Sequence, residues 1–539
     1  MSVSAVRQWL QHNKLLTCLG QKWSPSPVKS FRRQRSSETL SWSYVSNPGT
    51  WPLLGIHLGQ MVDRAEDMFG DREAIVSIQQ GKRRTFSQVK QESQQIAAGL
   101  LAVGLEPGDR LGIWAPNTYE WYLTLMAAAK AGLVLVNINP AYRPNEMEYC
   151  LNKVSVKAII CHEKFKTSDY HQMLCQIAPE LLSSSKDDLN LSRLPFLKRV
   201  IMCSEKDVSG AFKFGDLYDA GDTSHVKMLG DISARLKSDD PFNIQFTSGT
   251  TGFPKAAILT HHMLVNNAYG VGKRAQYNKS RVRICLSVPL YHCFGCVAGA
   301  LTGALYGATC VLPTEAYNPE ACVQAIQDER VSSCYGTPTM FVDILNEQRR
   351  KPRDISSLST GIMAGAPCPQ ELVMAVMNDL NMKDFMVMYG MTETSPVSFQ
   401  CYPTDSPQVK SSTIGFPSDH IEPDGYGEII WGGQGPIIRG GENIYPQERI
   451  FFLGHPRIIE AQVFSVPDAR MGEEVAAWIR KADDAELTAT TLKEWCKGKI
   501  AHYKVPRYIL FKDEFPKTVT GKIQKFVMRD VTMKELNLN

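Results

Sequence analysis

"QFTSGTTGFPKAAILTHH", Gln245 to His262, packs four hydroxyls, two glycines and one lysine into the nine positions from Thr247 to Lys255. Glycines let a backbone come close to an anion, exposed N–H groups and hydroxyls donate to its oxygens, and Lys255 supplies positive charge. The mixture therefore points to phosphate binding. A P-loop of the kinase and ATPase type is excluded: counting from Gly249, that motif needs glycine where Pro254 stands and a hydroxyl where Ala256 follows the lysine. By composition alone the same cluster also suits a plain turn, so the rest of the chain has to decide.

Working outward, "RLGIWAP" (Arg110 to Pro116), "LVLVNI" (Leu133 to Ile138) and "VKAIICH" (Val156 to His162) predict buried strands, with helical stretches such as "WYLTLMAAAKAG" (Trp121 to Gly132) between them. Strands alternating with helices imply α/β layers and a largely parallel sheet. "LLSSSKDDLNLSR" (Leu181 to Arg193) reads as a surface loop. Beyond Arg439 the texture changes to a short unit: "AQVFSVPD" as a strand, a helix starting near Thr488, and "YILFKDEFP" as another strand, which together make a small α+β domain.

At 539 residues the chain is long enough for more than one core. Basic residues number 59 and acidic ones 55, but seven basic residues, Arg7, Lys14, Lys22, Lys29, Arg32, Arg33 and Arg35, precede the first acid, Glu38. The body is thus slightly acidic, which removes any composition-level case for nucleic acid. The acid-free, Arg- and Ser-containing segment 1–37 reads as a mitochondrial transit peptide, a disordered basic tail being the alternative. Fourteen cysteines without disulfide-framework spacing fit a reducing compartment. Cys293 and Cys296 make a lone CxxC beside His292, better read as buried thiols than as zinc ligands. Ile284 to Thr314 holds no charge, yet Pro289, His292, glycines and hydroxyls interrupt it. A buried strand, helix and strand suits it better than a membrane span, and no transmembrane segment is expected.

"TSGTTGFPK" resembles the phosphate loop of the adenylate-forming enzymes, the superfamily of acyl-CoA synthetases, peptide-synthetase adenylation domains and luciferases. Further motifs follow in the family's order: "AGAP" (Ala364 to Pro367), "YGMTE" (Tyr389 to Glu393), "RGGENIYP" (Arg439 to Pro446) and "PKTVTGKIQK" (Pro516 to Lys525). "NPAYRPNEMEYCL", "PLYHCFG", "YGTPTMFVDIL" and "GKIQKF" are most similar to the mitochondrial medium-chain acyl-CoA synthetases. The resemblance implies a large multi-layer α/β adenylation domain over 38–436, shortened near 420–436, and a small α+β lid over 437–539. It also implies ligation of a medium-chain fatty acid to coenzyme A through an acyl-adenylate, with ATP and Mg²⁺, in the mitochondrial matrix.

Residue by residue, the resemblance places Thr247, Ser248, Gly249, Thr250, Thr251, Gly252, Phe253, Pro254 and Lys255 on the β- and γ-phosphates. Ala364, Gly365, Ala366 and Pro367 fall on the adenine side, with Tyr389 and Gly390 leading into Thr392 at the α-phosphate and Glu393 on Mg²⁺. Arg439, Gly440, Gly441 and Glu442 open the mobile lid. Lys522 would reach from the lid to the carboxylate and α-phosphate, where charge redistributes in the transition state. His292 matches a position lining the acyl pocket near the carboxylate, or is a buried histidine bonded to backbone. The segments Tyr335 to Phe341 and Ile362 to Gly365 would line the acyl pocket, and His261 and His262 are left structural.

One part of the pattern breaks. Arg439 follows Tyr389 by only 50 positions, well short of the family's span, and no T-G-D, whose Asp grips the ribose, occurs in the chain. In "DGYGEIIWGGQGPIIRGG", Gly432 stands where a ribose-binding Arg is expected and Gly435 where the hinge Asp is. Both flanks are intact, as after an internal excision. Asp419 is the nearest substitute for the lost carboxylate. The ligase is therefore expected to be impaired, and a non-catalytic isoform that binds nucleotide weakly, or associates with an intact copy, is the alternative. An oxygen-dependent luciferase-like reaction is a third.

Overall fold

The computed structural model describes residues 47–49, 51–247, 254–366, 368–421, 437–439, 442–444, 452, 455, 457–482, 487–516 and 525–538, and side chains for all of these except 437–439, 442–444 and 526. They belong to one compact unit, Val45–Pro423 with Ile429–Asn539; the other unit, Met1–Tyr44 with Asp424–Glu428, lies outside the described residues, and with it the segment 1–37.

Arg110–Trp114, Val134–Asn137 and Ala158–His162 are strands, and they pair in parallel at the centre of a seven-stranded sheet. Its other members are Arg199–Cys203, Phe212–Lys213, Pro241–Thr247 and, antiparallel at one edge, Lys255–Thr260. Side chains alternate across a strand, and both faces are apolar here. Leu111, Ile113 and Leu135 join the main core, while Trp114, Val134 and Val136 join a second one. The main core continues into a nine-stranded sheet in the order Phe416–Pro417, Val397–Gln400, Asp384–Gly390, Thr360–Met363, Ser333–Gly336, Arg283–Leu286, Thr309–Leu312, Glu73–Ser77 and Lys82–Thr85. Its central strands are parallel and its edges antiparallel.

The helix Tyr119–Ala131 buries twelve of its thirteen residues, ten of them in the main core, which explains a sequence apolar on nearly all sides. Thr118 caps its start and Gly132, at φ 67°, ends it in the left-handed conformation that glycine adopts without strain. The uncharged segment forms the strand Arg283–Leu286, a π-helix Phe294–Leu301 running into Thr302–Tyr306, and the strand Thr309–Leu312. Among the described residues no helix is long and apolar enough to cross a membrane. The stretch Leu181 to Arg193 is the surface loop expected, and three of its leucines anchor it. Leu181, Leu189 and Leu191 are buried in the second core, while Leu182 and the acids face out.

The smaller domain has a five-stranded sheet of Ile437–Arg439, Glu442–Ile444, Ile458–Asp468, Gly472–Lys481 and Tyr508–Phe511, with the helix Ala489–Cys496 capped by Thr488 as expected. Val463, Val475, Ile479 and Leu492 fill one face, and Phe464, Ala476, Trp478 and Met528 the other.

His261 begins the helix His261–Arg274 and is buried, stacked on Phe242, with its Nδ1 accepting from the Leu58 N–H at 3.2 Å. Burial lowers its pKa to about 4. Once unfolded it would titrate near 6.5, so the unfolded chain takes up a proton first. The stabilisation is complete above about pH 6.5 and is lost as pH falls towards 4, by on the order of 3 kcal/mol. Urea midpoints at pH 7.5 and 4.5 should therefore converge in His261→Asn relative to the parent chain. An unchanged pH slope would refute this.

Candidate active site

The predicted phosphate loop joins two paired strands. Thr247 ends one, Lys255 begins the next, and the two residues face each other in register. Ser248, Gly249, Thr250, Thr251, Gly252 and Phe253 lie outside the described residues, while the Pro254 carbonyl accepts from the Tyr149 hydroxyl at 3.2 Å. The mouth of this loop lies beyond the carboxyl ends of the parallel strands, where open α/β sheets bind ligands.

The second element arrives from the nine-stranded sheet. Tyr389 and Gly390 end the strand Asp384–Gly390, and a 3₁₀ turn, Thr392–Thr394, follows. Gly390 is required by close approach: a Cβ there would sit 1.8 Å from the Pro396 carbonyl oxygen. The returning chain is held by Asn267 of the helix His261–Arg274, which exchanges two hydrogen bonds with the Val397 backbone, at 2.9 and 3.1 Å. The Thr247 hydroxyl donates to the Glu393 carboxylate at 3.0 Å. Two motifs 146 residues apart thus meet at one point.

Thr392 is buried, and its Oγ1 lies 3.6 Å from the Cys293 Sγ, which in turn lies 3.6 Å from His292 Nδ1. Burial acts to raise the Cys293 thiol, but its neighbours His292 and Thr392 bring it below the ordinary cysteine value. His292 is half-buried, and its Nδ1 accepts from the Phe294 backbone N–H at 3.2 Å. The bond to backbone and the place beside Thr392 are therefore both present. Cys296 is buried too, its thiol pushed up to about 12 by that burial. Among the described residues no group of three or more His, Cys, Asp or Glu could hold a metal ion.

Ala364, Gly365 and Ala366 follow the strand Thr360–Met363, with Gly365 at φ 85° and in reach of Thr337 on the neighbouring strand end; Pro367 lies outside the described residues. Arg439 and Glu442 pair in the hairpin that opens the small domain; Gly440, Gly441 and Lys522 are outside the described residues, as are Gly432 and Gly435. The small domain touches the large one through Lys504, whose Nζ lies 2.8 Å from the Glu146 carboxylate, and through Tyr503, whose hydroxyl accepts from Asn139 at 3.3 Å.

Asp419 is already committed. Its carboxylate accepts from Arg274 at 2.7 Å, and that guanidinium also serves the carbonyls of Gln400, Phe416 and Pro417. Sequence reasoning had no signal for Asn267, Cys293 or Arg274 as supports of this region, because each acts through a contact more than 90 positions away.

Two domains of this order, with a loop, a Y-G-x-T-E turn and a small α+β partner, define the AMP-binding enzymes, and the chain belongs to that family. Residues 62–424 match the AMP-binding enzyme family and residues 451–522 its C-terminal domain. Among its relatives are the mitochondrial medium-chain acyl-CoA ligases ACSF2 of Danio rerio, 44% identical over 562 aligned residues with 93% of each chain covered, and of Homo sapiens, 39% identical over 590 with 96% of each covered. Both alignments are longer than the 539 residues of the chain, so they pass over positions that it lacks. The fold matches o-succinylbenzoate-CoA synthetase MenE of Bacillus subtilis with a TM-score of 0.69 at 19% identity, covering 87% of this chain and 98% of that one.

Proposed function

We propose that this chain ligates a medium-chain fatty acid to coenzyme A in two steps: the carboxylate attacks the α-phosphate of ATP, giving acyl-adenylate and pyrophosphate, and the thiol of coenzyme A then displaces AMP. The observation that carries the reading is the meeting of Thr247 with Glu393 and of Thr392 with the His292–Cys293 turn at the carboxyl ends of the strands. The relatives' names support the medium-chain acid and a mitochondrial address, which segment 1–37 would direct to the matrix.

On this reading Thr247, Pro254 and Lys255, with the intervening residues, hold the β- and γ-phosphates, and Thr392 donates to the α-phosphate. Ala364, Gly365, Ala366 and Pro367 border the adenine, and His292 orients the incoming carboxylate. The oxygen donors at the loop mouth, one carboxylate and one hydroxyl, suit Mg²⁺, which is usually shared between one or two carboxylates and substrate phosphates. Glu393 would hold that ion, whose charge offsets the repulsion between two anions. Arg439, Gly440, Gly441 and Glu442 begin the lid, and Lys522 would come from the lid to the reacting oxygens.

Membership of the family over most of the chain favours ligation over the non-catalytic alternative. The test uses ATP–pyrophosphate exchange with octanoate in a form with the missing segment restored. Lys255→Ala is expected to weaken ATP affinity, because ground-state phosphate contacts are lost. Lys522→Ala should slow adenylate formation at least 100-fold with little change in affinity, as a lid residue acts when the lid closes. Equal loss of ATP affinity in the two variants would overturn the division of roles.

A further inference from the structure

Behind His292 lies Tyr335, the first residue of the segment that the resemblance places along the acyl pocket, and its partners are specific. The Phe294 ring stacks on that of Tyr335, with centroids 5.8 Å apart and planes 20° from parallel. Tyr335 lies in the strand Ser333–Gly336, where residues two apart share a face, so Ser333 and Tyr335 point the same way. Both reach Tyr277, just beyond the helix His261–Arg274: its hydroxyl lies 2.7 Å from the Ser333 Oγ and 2.9 Å from the Tyr335 hydroxyl. All three are buried, and burial pushes the Tyr277 phenol up to about 12 and Tyr335 well above its ordinary value. Both phenols therefore stay neutral hydrogen-bonding groups at physiological pH. On the far side of Tyr277 is a cavity of about 210 Å³, bordered by Tyr277, Val282, Ser332, Thr360, Asp384 and Pro403. It sits at the amino ends of the parallel strands, the pole opposite Thr247 and Glu393.

We infer that Tyr335, braced by Tyr277 and Ser333, is the end wall of the acyl pocket and sets the longest chain the enzyme accepts. The inference rests on the acyl-ligase reading, which puts the carboxylate beside His292. From there an alkyl chain runs past Phe294 and meets Tyr335. A phenylalanine at 335 would fill the same volume but could swing aside. The tyrosine is pinned, because turning it away would cost its own buried hydroxyl the bond to Tyr277 and leave Tyr277 with Ser333 alone. A longer acid would have to displace Tyr335 and then Tyr277 before gaining the cavity beyond. Shortening the wall removes the first of these barriers and leaves Tyr277 alone between pocket and cavity.

The experiment measures binding of octanoate, dodecanoate and hexadecanoate to the full chain by calorimetry, which needs no turnover. In the parent chain octanoate should bind at least tenfold more tightly than hexadecanoate. Tyr335→Ala should reverse that preference by tenfold or more, and Tyr335→Leu, a smaller volume change that is better tolerated in a core, should shift it the same way by a lesser factor. A folded variant with the parent's chain-length profile would overturn the wall. Absence of binding by all three acids to the parent chain would instead overturn the acyl-ligase reading itself. A readout on unmodified protein keeps the inference exposed should both variants unfold. Octanoate bearing a diazirine at its terminal carbon should, on irradiation, label the peptides holding Tyr335 or Phe294, and labelling confined to other peptides would refute the assignment.

Discussion

Restoring the missing segment should raise the rate of acyl-adenylate formation by roughly two to four powers of ten. The chain lacks the T-G-D carboxylate and has Gly432 where the second ribose contact is expected. Two charge-assisted hydrogen bonds contribute about 1.5 to 3 kcal/mol each, or on the order of 3 to 6 kcal/mol together. The structure strengthens the expectation by removing the nearest substitute. A ribose ligand must be a carboxylate prepositioned for two hydroxyls, whereas that of Asp419 is held by Arg274 at 2.7 Å in a nearly closed site. At the proposed phosphate end, the Thr247 hydroxyl donates to Glu393 in the chain as it stands. Nucleotide should therefore still bind through its phosphates, with the ribose poorly held and the α-phosphate correspondingly misplaced. Exchange of pyrophosphate into ATP with octanoate, compared at low ATP for the two folded forms, measures the difference. Rates agreeing within about threefold, under 1 kcal/mol, would show that the ribose contacts are unnecessary or replaced from elsewhere.

Local chemistry made much of this molecule legible. Arg110–Trp114 and Ala158–His162 announce themselves as continuous apolar runs because a parallel strand is covered on both faces. Thr488 marks a helix start because a hydroxyl there can accept from the first turn. The stretch from Thr247 to Lys255 stands out because it is small and donor-rich, the composition that phosphate binding needs, and its two ends are paired strand residues. The unread parts are long-range. Nothing near Asn267 shows that its amide clamps Val397, and nothing near Cys293 shows that its thiol bridges His292 and Thr392. Tyr277 and Tyr335 are 58 positions apart, and only the fold makes their hydroxyls neighbours. The 181–193 stretch reads as a surface loop from its serines and acids, but which of its leucines anchor that loop is again a long-range matter. Serines and acids dominated the local composition, while every buried leucine there answers to a core built from distant strands.

Arg274→Met should destabilise the protein by about 3 to 5 kcal/mol, the typical cost of removing one partner from a buried ion pair. Its side chain is only 2% exposed and that of Asp419 only 10%. The guanidinium donates to Asp419 and to three carbonyls, at 2.7 to 3.1 Å, and lies over the Tyr402 ring at 4.6 Å. A methionine fills similar volume but takes the guanidinium's hydrogen bonds from a carboxylate and three carbonyl oxygens, of which that of Pro417 keeps the Asn47 amide at 3.0 Å. Those carbonyls belong to Gln400, Phe416 and Pro417, on the two antiparallel edge strands that carry the chain back from the Thr392–Glu393 turn. Loss of the bracket should therefore loosen the edge on which the turn depends, and pyrophosphate exchange in the restored form should fall together with stability. Asp419→Asn keeps an acceptor and removes the charge, so it should cost less than Arg274→Met. Arg274→Met combined with Asp419→Leu should recover part of the loss, because the stranded carboxylate is gone while the three carbonyls still lack the guanidinium. Urea unfolding of the three variants at pH 7.5 gives the comparison. A loss under 1 kcal/mol in Arg274→Met, or a double variant no more stable than the single one, would show that the bracket is replaced by water and that the edge strands stand on their own pairing.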